Sequence, residues 1–189
     1  MQLVATPSER QQELYQLAES QSGYFTAKQA ASLGYQSNKR VYHVRAGNWE
    51  REHRGIYRLS LFPATDRPDL ALWSLWSSNR KEEVEGVYSH QTAISLFNLS
   101  DLNPAKLHMT VPMSFRRNSE IPGILVLHYA DLPASDVQTG PGYKITRPLR
   151  TAIEVRRRIF RRPFGAFFLT IRGRHHPLPS TGNLCQTAQ

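Results

Sequence analysis

Residues 7–59 run three short helical segments, each followed by a glycine, directly into a hairpin that turns at Arg54-Gly55. That order leaves few architectures open. Over residues 7–21, Leu14, Leu17 and Ala18 form an apolar stripe at helical spacing. Pro7 precedes Ser8, which is placed to cap, and Gly23 breaks the run. Thr26 opens a second helix holding Ala27, Ala30, Ala31 and Leu33, ended by Gly34. Ser37 is read as the cap of a third, "SNKRVYHVRAG", closed by Gly47, with Val41 and Val44 as its narrow inward face. Strands at 49–53 and 56–59 follow. Three helices and then a hairpin is the order of a winged helix-turn-helix, and the small alanines of helix two let helix three approach closely. The plainer alternative is any three-helix domain with a hairpin appended.

Beyond the hairpin, "LFPATDRP" is a Pro-punctuated connector. It divides an N-terminal winged domain, 1–61, from a small α+β domain, 62–155. The second domain is predicted to hold a helix over 68–79 begun by Pro68 and a strand at "VYSH". An amphipathic helix at "HQTAISLFNLS" comes next, with Ala93, Ile94 and Phe97 inward. Strands at "AKLHMTVP", "GILVLHYA" and "YKIT" and a last helix from "RPLRTAIEV" complete it. The expected class is therefore α+β.

Charge sharpens the division. The chain carries a formal net charge of +9. Two islands account for it, one over residues 24–61 and one over 156–189, and the latter holds arginines and no acid at all. Excess positive charge points to an anionic partner. A single cysteine, Cys185, excludes an internal disulfide framework and a cysteine-based zinc site. With no apolar run of membrane-spanning length and no recognisable secretory signal, the expectation is a soluble protein of the cytoplasm.

On helix three the outward positions are read as Asn38, Lys39, Arg40, Tyr42, His43 and Arg45. Recognition helices read base edges from their N-terminal residues, so Asn38 (adenine) and Arg40 (guanine) are the base-contact candidates. Lys28, Lys39 and Arg45 are assigned to phosphates, and Ser37 offers a hydroxyl and the helix amides. The competing reading is a solvated basic face, and His43, flanked by Tyr42 and Val44, has the alternative of packing against the domain. In "WEREH" strict alternation puts Trp49, Arg51 and His53 on one face and Glu50 and Glu52 on the other. Arg54 then sits at the wing tip beside Gly55, a position suited to a narrow minor groove or its phosphates.

The segment "GYFTAKQAASLGYQSNKRVYHVRAGNWEREHRGIYRL", followed by "YSHQTAISLFNLSDLNPAKLHMTVP" and "GYKITRPLRTAIEV", resembles the AbiEi-type antitoxins of type IV toxin–antitoxin systems. The resemblance covers about residues 20–155, with "HRGIYRL", "SHQTAISLFNLSD" and "RPLRT" recurring in that order. It implies a winged-helix N-terminus that binds double-stranded promoter DNA and represses its own operon, and a C-terminal region that counters a nucleotidyltransferase-like toxin. Carried over, Ser37, Asn38, Arg40, Arg51, Arg54 and Arg58 form the DNA side. Glu50 and Glu52 depart from the family's wings, which are more apolar or basic there. The alternative from the same resemblance is a toxin antagonist without specific DNA binding.

No catalysis and no cofactor is expected. His90, His108 and His128 with Asp101 and Asp131 can be assembled on paper into a metal site, yet no metalloprotease motif, paired carboxylate or phosphate loop accompanies them. Cys185 has no neighbours that would activate it as a nucleophile. The segment 156–189 does not resemble the family. We read it as an altered frame or truncated C-terminus, the alternative being a basic arm with nonspecific phosphate affinity.

Overall fold

The computed structural model describes residues 6–99 and 104–160. Helix α1 (Pro7–Glu19) begins at Thr6, not at Ser8. Thr6 accepts from the Glu9 amide while the Glu9 carboxylate accepts from the Thr6 amide, a capping box with Pro7 at the first helical position. These bonds hold the Glu9 carboxyl below its usual range. Strand β1 (Tyr24–Thr26) leads straight into α2 (Ala27–Ser32), where Thr26 and Gln29 form a second capping box. Gly34, at φ +87°, makes the turn toward α3 (Ser37–Arg45). The cap of α3 is Gln36 and makes no side-chain bond, so Ser37 is the first helical residue. Strands β2 (Trp49–His53) and β3 (Ile56–Leu59) form the expected hairpin, with Gly55 at φ +79°.

β1 was not expected as a strand, and it completes a three-stranded antiparallel sheet in the order β1-β3-β2. Both faces of this sheet are covered. Phe25, Trp49, Tyr57 and Leu59 pack with Leu14, Ala18 and Ala30 of the helices, forming one core. Tyr24 and Ile56 join a second core built on Leu70, Ala71, Leu75 and Trp76 of α4 (Pro68–Trp76). Period-two alternation does this: neighbours along β1 and β3 send their side chains to opposite cores. The predicted connector is thus flanked by contacts. Lys28 Nζ donates to Arg80 O at 3.0 Å, and Arg58 Nη2 donates to Phe62 O at 3.1 Å.

The second region is a five-stranded mixed sheet ordered β6-β5-β4-β8-β7: β4 (Val87–Tyr88), β5 (Leu107–Val111), β6 (Leu125–Tyr129), β7 (Val137–Gly140) and β8 (Tyr143–Thr146). β7 was not predicted; it pairs with β8 through a turn at Pro141-Gly142, Gly142 lying at φ +75°. Tyr88, Met109 and Ile145 pack with α4, where the buried Tyr88 hydroxyl donates to Leu70 O at 2.7 Å. Burial drives the Tyr88 pKa up. Helices α5 (His90–Leu96) and α6 (Pro148–Phe160) pack against each other. Hydroxyl groups tie them to the strands: Ser89 to Thr110, Thr92 to the His108 amide, and Thr146 to Thr151.

Helix α4 ends at Trp76, three residues short of the expected 79. Helix α6 runs past the predicted boundary at 155 to Phe160, so the first residues of the expected tail are helical. The rest of 156–189, Cys185 included, lies outside the described residues, as does Asp101.

Candidate nucleic-acid interface

Two side chains on α3 exchange places with the expectation. Val41, read as inward, is 50 % exposed. His43, read as outward, is tucked against the domain: its ring stacks on Trp49 at 4.6 Å and meets Tyr35 edge-on at 5.3 Å. Asn48 Nδ2 lies 3.3 Å from His43 Nδ1 and donates to the neutral ring. Burial, then the nearby Lys39 charge, pushes the His43 pKa down. The packing alternative for His43 is the one realised, because the helix turns its 40–43–44 edge toward Tyr35 and Trp49.

Arg40 follows the same edge. Its Nη1 donates to Tyr35 O at 3.0 Å and to Ala27 O at 3.4 Å, bridging α3 to the start of α2 and to the turn between them. It therefore positions α3 and does not project from it. Exposed on α3 are Ser37, Asn38, Lys39, Val41, Tyr42 and Arg45. Asn38 Oδ1 accepts from the Lys39 amide at 2.8 Å.

In the hairpin a bulge decides which residues face where. Arg51 is paired with Tyr57 and His53 with Ile56, so Glu52 is the extra residue and strict alternation fails there. Arg51 stays on the face of Tyr57 and Trp49, the side that carries the helices. His53 shifts to the other face, edge-on to Trp73 at 5.5 Å. Arg58, opposite Glu50, also belongs to that face and lies 3.8 Å from the Glu50 carboxylate. Of the predicted cations, Arg45, Arg51 and Arg54 are exposed, as are Lys39 and Lys28, whose Nζ atoms donate to Gly34 O at 3.4 Å and Arg80 O at 3.0 Å, while Arg40 and Arg58 are half-buried and bonded inward.

The second region brings together the three histidines named from sequence. His90 stacks on His128 at 3.9 Å, and His108 Nδ1 lies 2.9 Å from His128 Nε2. His90 Nδ1 is 2.9 Å from Ser89 Oγ and 3.7 Å from the buried Glu154 carboxylate. His90 and His128 thus meet face to face, whereas His108 and His128 share a hydrogen bond. Among the described residues no group of three or more His, Cys, Asp or Glu side chains is arranged to hold a metal ion. Asp131 accepts from the Met113 amide at 3.1 Å. Beside the sheet, a groove of about 410 Å³ is lined by Val87, Thr110, Leu132 and Val137, with Glu85 and Lys144 on its wall. Among the described residues no helix is long and apolar enough to cross a membrane.

Residues 12–60 match the family model described as "Transcriptional regulator, AbiEi antitoxin". No curated protein matches the chain. The matched span runs from within α1 to just past β3, so the similarity to AbiEi-type regulators covers the winged helix-turn-helix segment of this chain.

Proposed function

Starting from the match of residues 12–60 to the AbiEi antitoxin regulators, we propose that this chain represses a type IV toxin–antitoxin operon by binding its promoter DNA. The observation that carries the reading is the side-chain sorting on α3 and the wing. Lys39, Arg45, Arg51 and Arg54 are exposed, whereas Arg40 and Arg58 are half-buried and bonded to backbone carbonyls of the module. Helix α3 lies in the major groove with Asn38 at a base edge, Lys39 and Arg45 hold phosphates, and Arg54 reaches the phosphates bordering the adjacent minor groove. The mechanism is binding, without a catalytic group or a cofactor.

Titration of the chain against duplex DNA from upstream of its own gene, at several salt concentrations, tests this. Affinity should fall by roughly 0.9 log units per log unit of salt for each phosphate contacted. Absence of binding at low salt defeats the reading.

The antitoxin half rests on the second region, which lies beyond the matched span. We assign the groove flanked by Glu85 and Lys144 as the surface that meets a nucleotidyltransferase-like toxin. Co-purification with the product of the neighbouring gene, lost on Val137→Asp, tests that half separately.

A further inference from the structure

Resting on the DNA-binding reading, we infer that Val41, exposed in the middle of α3, reads thymine methyl groups in the major groove, so that the operator half-site carries a thymine beneath it.

Four of the six exposed residues of α3 are polar or cationic: Ser37, Asn38, Lys39 and Arg45. Between them stand two large apolar side chains, Val41 at 50 % and Tyr42 at 66 % exposure. A single exposed apolar residue is ordinary on a protein surface. Here the two are adjacent and stand in the centre of the cationic face. At 3.6 residues per turn, Asn38, Val41, Tyr42 and Arg45 lie along one side of the helix, one turn apart in sequence. Whatever meets Asn38 and Arg45 must also cover Val41.

That occupant has to be anionic at its edges and apolar at one point in its middle. Duplex DNA meets both demands. Its phosphates pair with Lys39 and Arg45, and the thymine C5-methyl is the one apolar group that a base displays in the major groove. The two branches of Val41 suit a methyl and offer no hydrogen bond to the other bases. The Tyr42 ring meets His43 edge-on at 5.5 Å and is the neighbouring apolar group on the same exposed side of α3. Arg40 fixes the rotation of α3 through Tyr35 O and Ala27 O and so keeps this edge outward.

The test uses the full chain and its preferred site selected from a random duplex pool, with each thymine replaced in turn by deoxyuridine. Removing one methyl should weaken wild-type binding roughly fourfold at one or two adjacent positions, the factor expected for burial of one methyl group. Val41→Ala should abolish that discrimination while leaving thermal unfolding and the salt slope unchanged, and Val41→Ile should retain it. Specific binding that ignores every thymine methyl, or discrimination undiminished in Val41→Ala, overturns the assignment and leaves the DNA reading standing. Absence of any DNA affinity overturns both.

Discussion

The imidazole of His43 lies parallel to the indole of Trp49, with ring centroids 4.6 Å apart and planes 15° apart. This stack joins α3 to β2, the two elements that carry the outward cations. The ring there is neutral in the folded state's favoured form, since Asn48 donates to Nδ1 and burial, then Lys39, disfavour the imidazolium. The folded-state pKa therefore lies below the reference 6.5, and the unfolded chain takes up the proton first. Stability is full above that reference value and declines as pH falls through the window toward the folded pKa. Thermal unfolding followed between about pH 7.5 and 5 should show this decline, and it should be smaller in His43→Phe, which stacks without titrating. An identical pH profile in the two proteins would refute the role of the stack.

Arg40 separates positioning from reading. Its guanidinium is committed to the carbonyls of Tyr35 and Ala27. Arg40→Gln should cost about 1.5–3 kcal/mol of stability, the range for lost hydrogen bonds to a charged group. It should weaken all DNA sequences alike. A changed base preference in a selection experiment would return Arg40 to the base edge.

The wing arginines should behave differently from one another. Arg54→Ala removes an exposed cation at the tip, so the salt slope should fall by about 0.9 for the phosphate released. Arg58→Ala removes a side chain bonded to Phe62 O and lying near Glu50, on the face turned toward α4. Its salt slope should match that of the wild type while its melting temperature drops. Binding isotherms at several salt concentrations distinguish the two.

Most of the N-terminal order was legible because its signals are local. Thr26, Gly34, Gly47 and Gly55 act on their immediate neighbours, and each marks a boundary that the structure keeps. What sequence did not reveal depends on partners distant along the chain. Tyr24-Phe25-Thr26 is a strand only because β3 lies beside it, and three residues carry too little pattern to be seen alone. The 40–43–44 and 41–44 edges of α3 are both at helical spacing, and the contact with Trp49 selects the first. The bulge at Glu52, which moves His53 to Trp73, leaves no mark in "WEREH". The three histidines were visible, but the His108–His128 hydrogen bond depends on the pairing of β5 with β6, and the His90–His128 stack on how α5 lies against that sheet.

Gly23 tests the junction between α1 and the sheet. It sits at φ +89°, and a Cβ there would lie 2.6 Å from Phe62 Cδ1. Backbone strain and the clash act together, so Gly23→Ala should destabilise by more than about 1 kcal/mol. Adding Phe62→Ala relieves the clash and leaves the strain. The double variant should then lose less than the sum of the two single losses in denaturant titration.

Because the three-stranded sheet is a wall between two cores, the winged segment should not stand well alone. Tyr24 and Ile56, 5 % and 4 % exposed, face Leu70, Ala71 and Leu75 of α4, and His53 meets Trp73. A fragment of residues 1–60 retains every helix of the winged segment yet turns these side chains to water. Each fully exposed large apolar side chain forfeits about 1.5–3 kcal/mol, a large part of the margin of a small domain. The fragment should therefore melt well below the full chain and associate at high concentration. Ile56→Thr should improve the fragment's solubility while destabilising the full chain, since the same position faces water in one and α4 in the other. A fragment as stable as the full chain would mean that the second core contributes nothing to the wing.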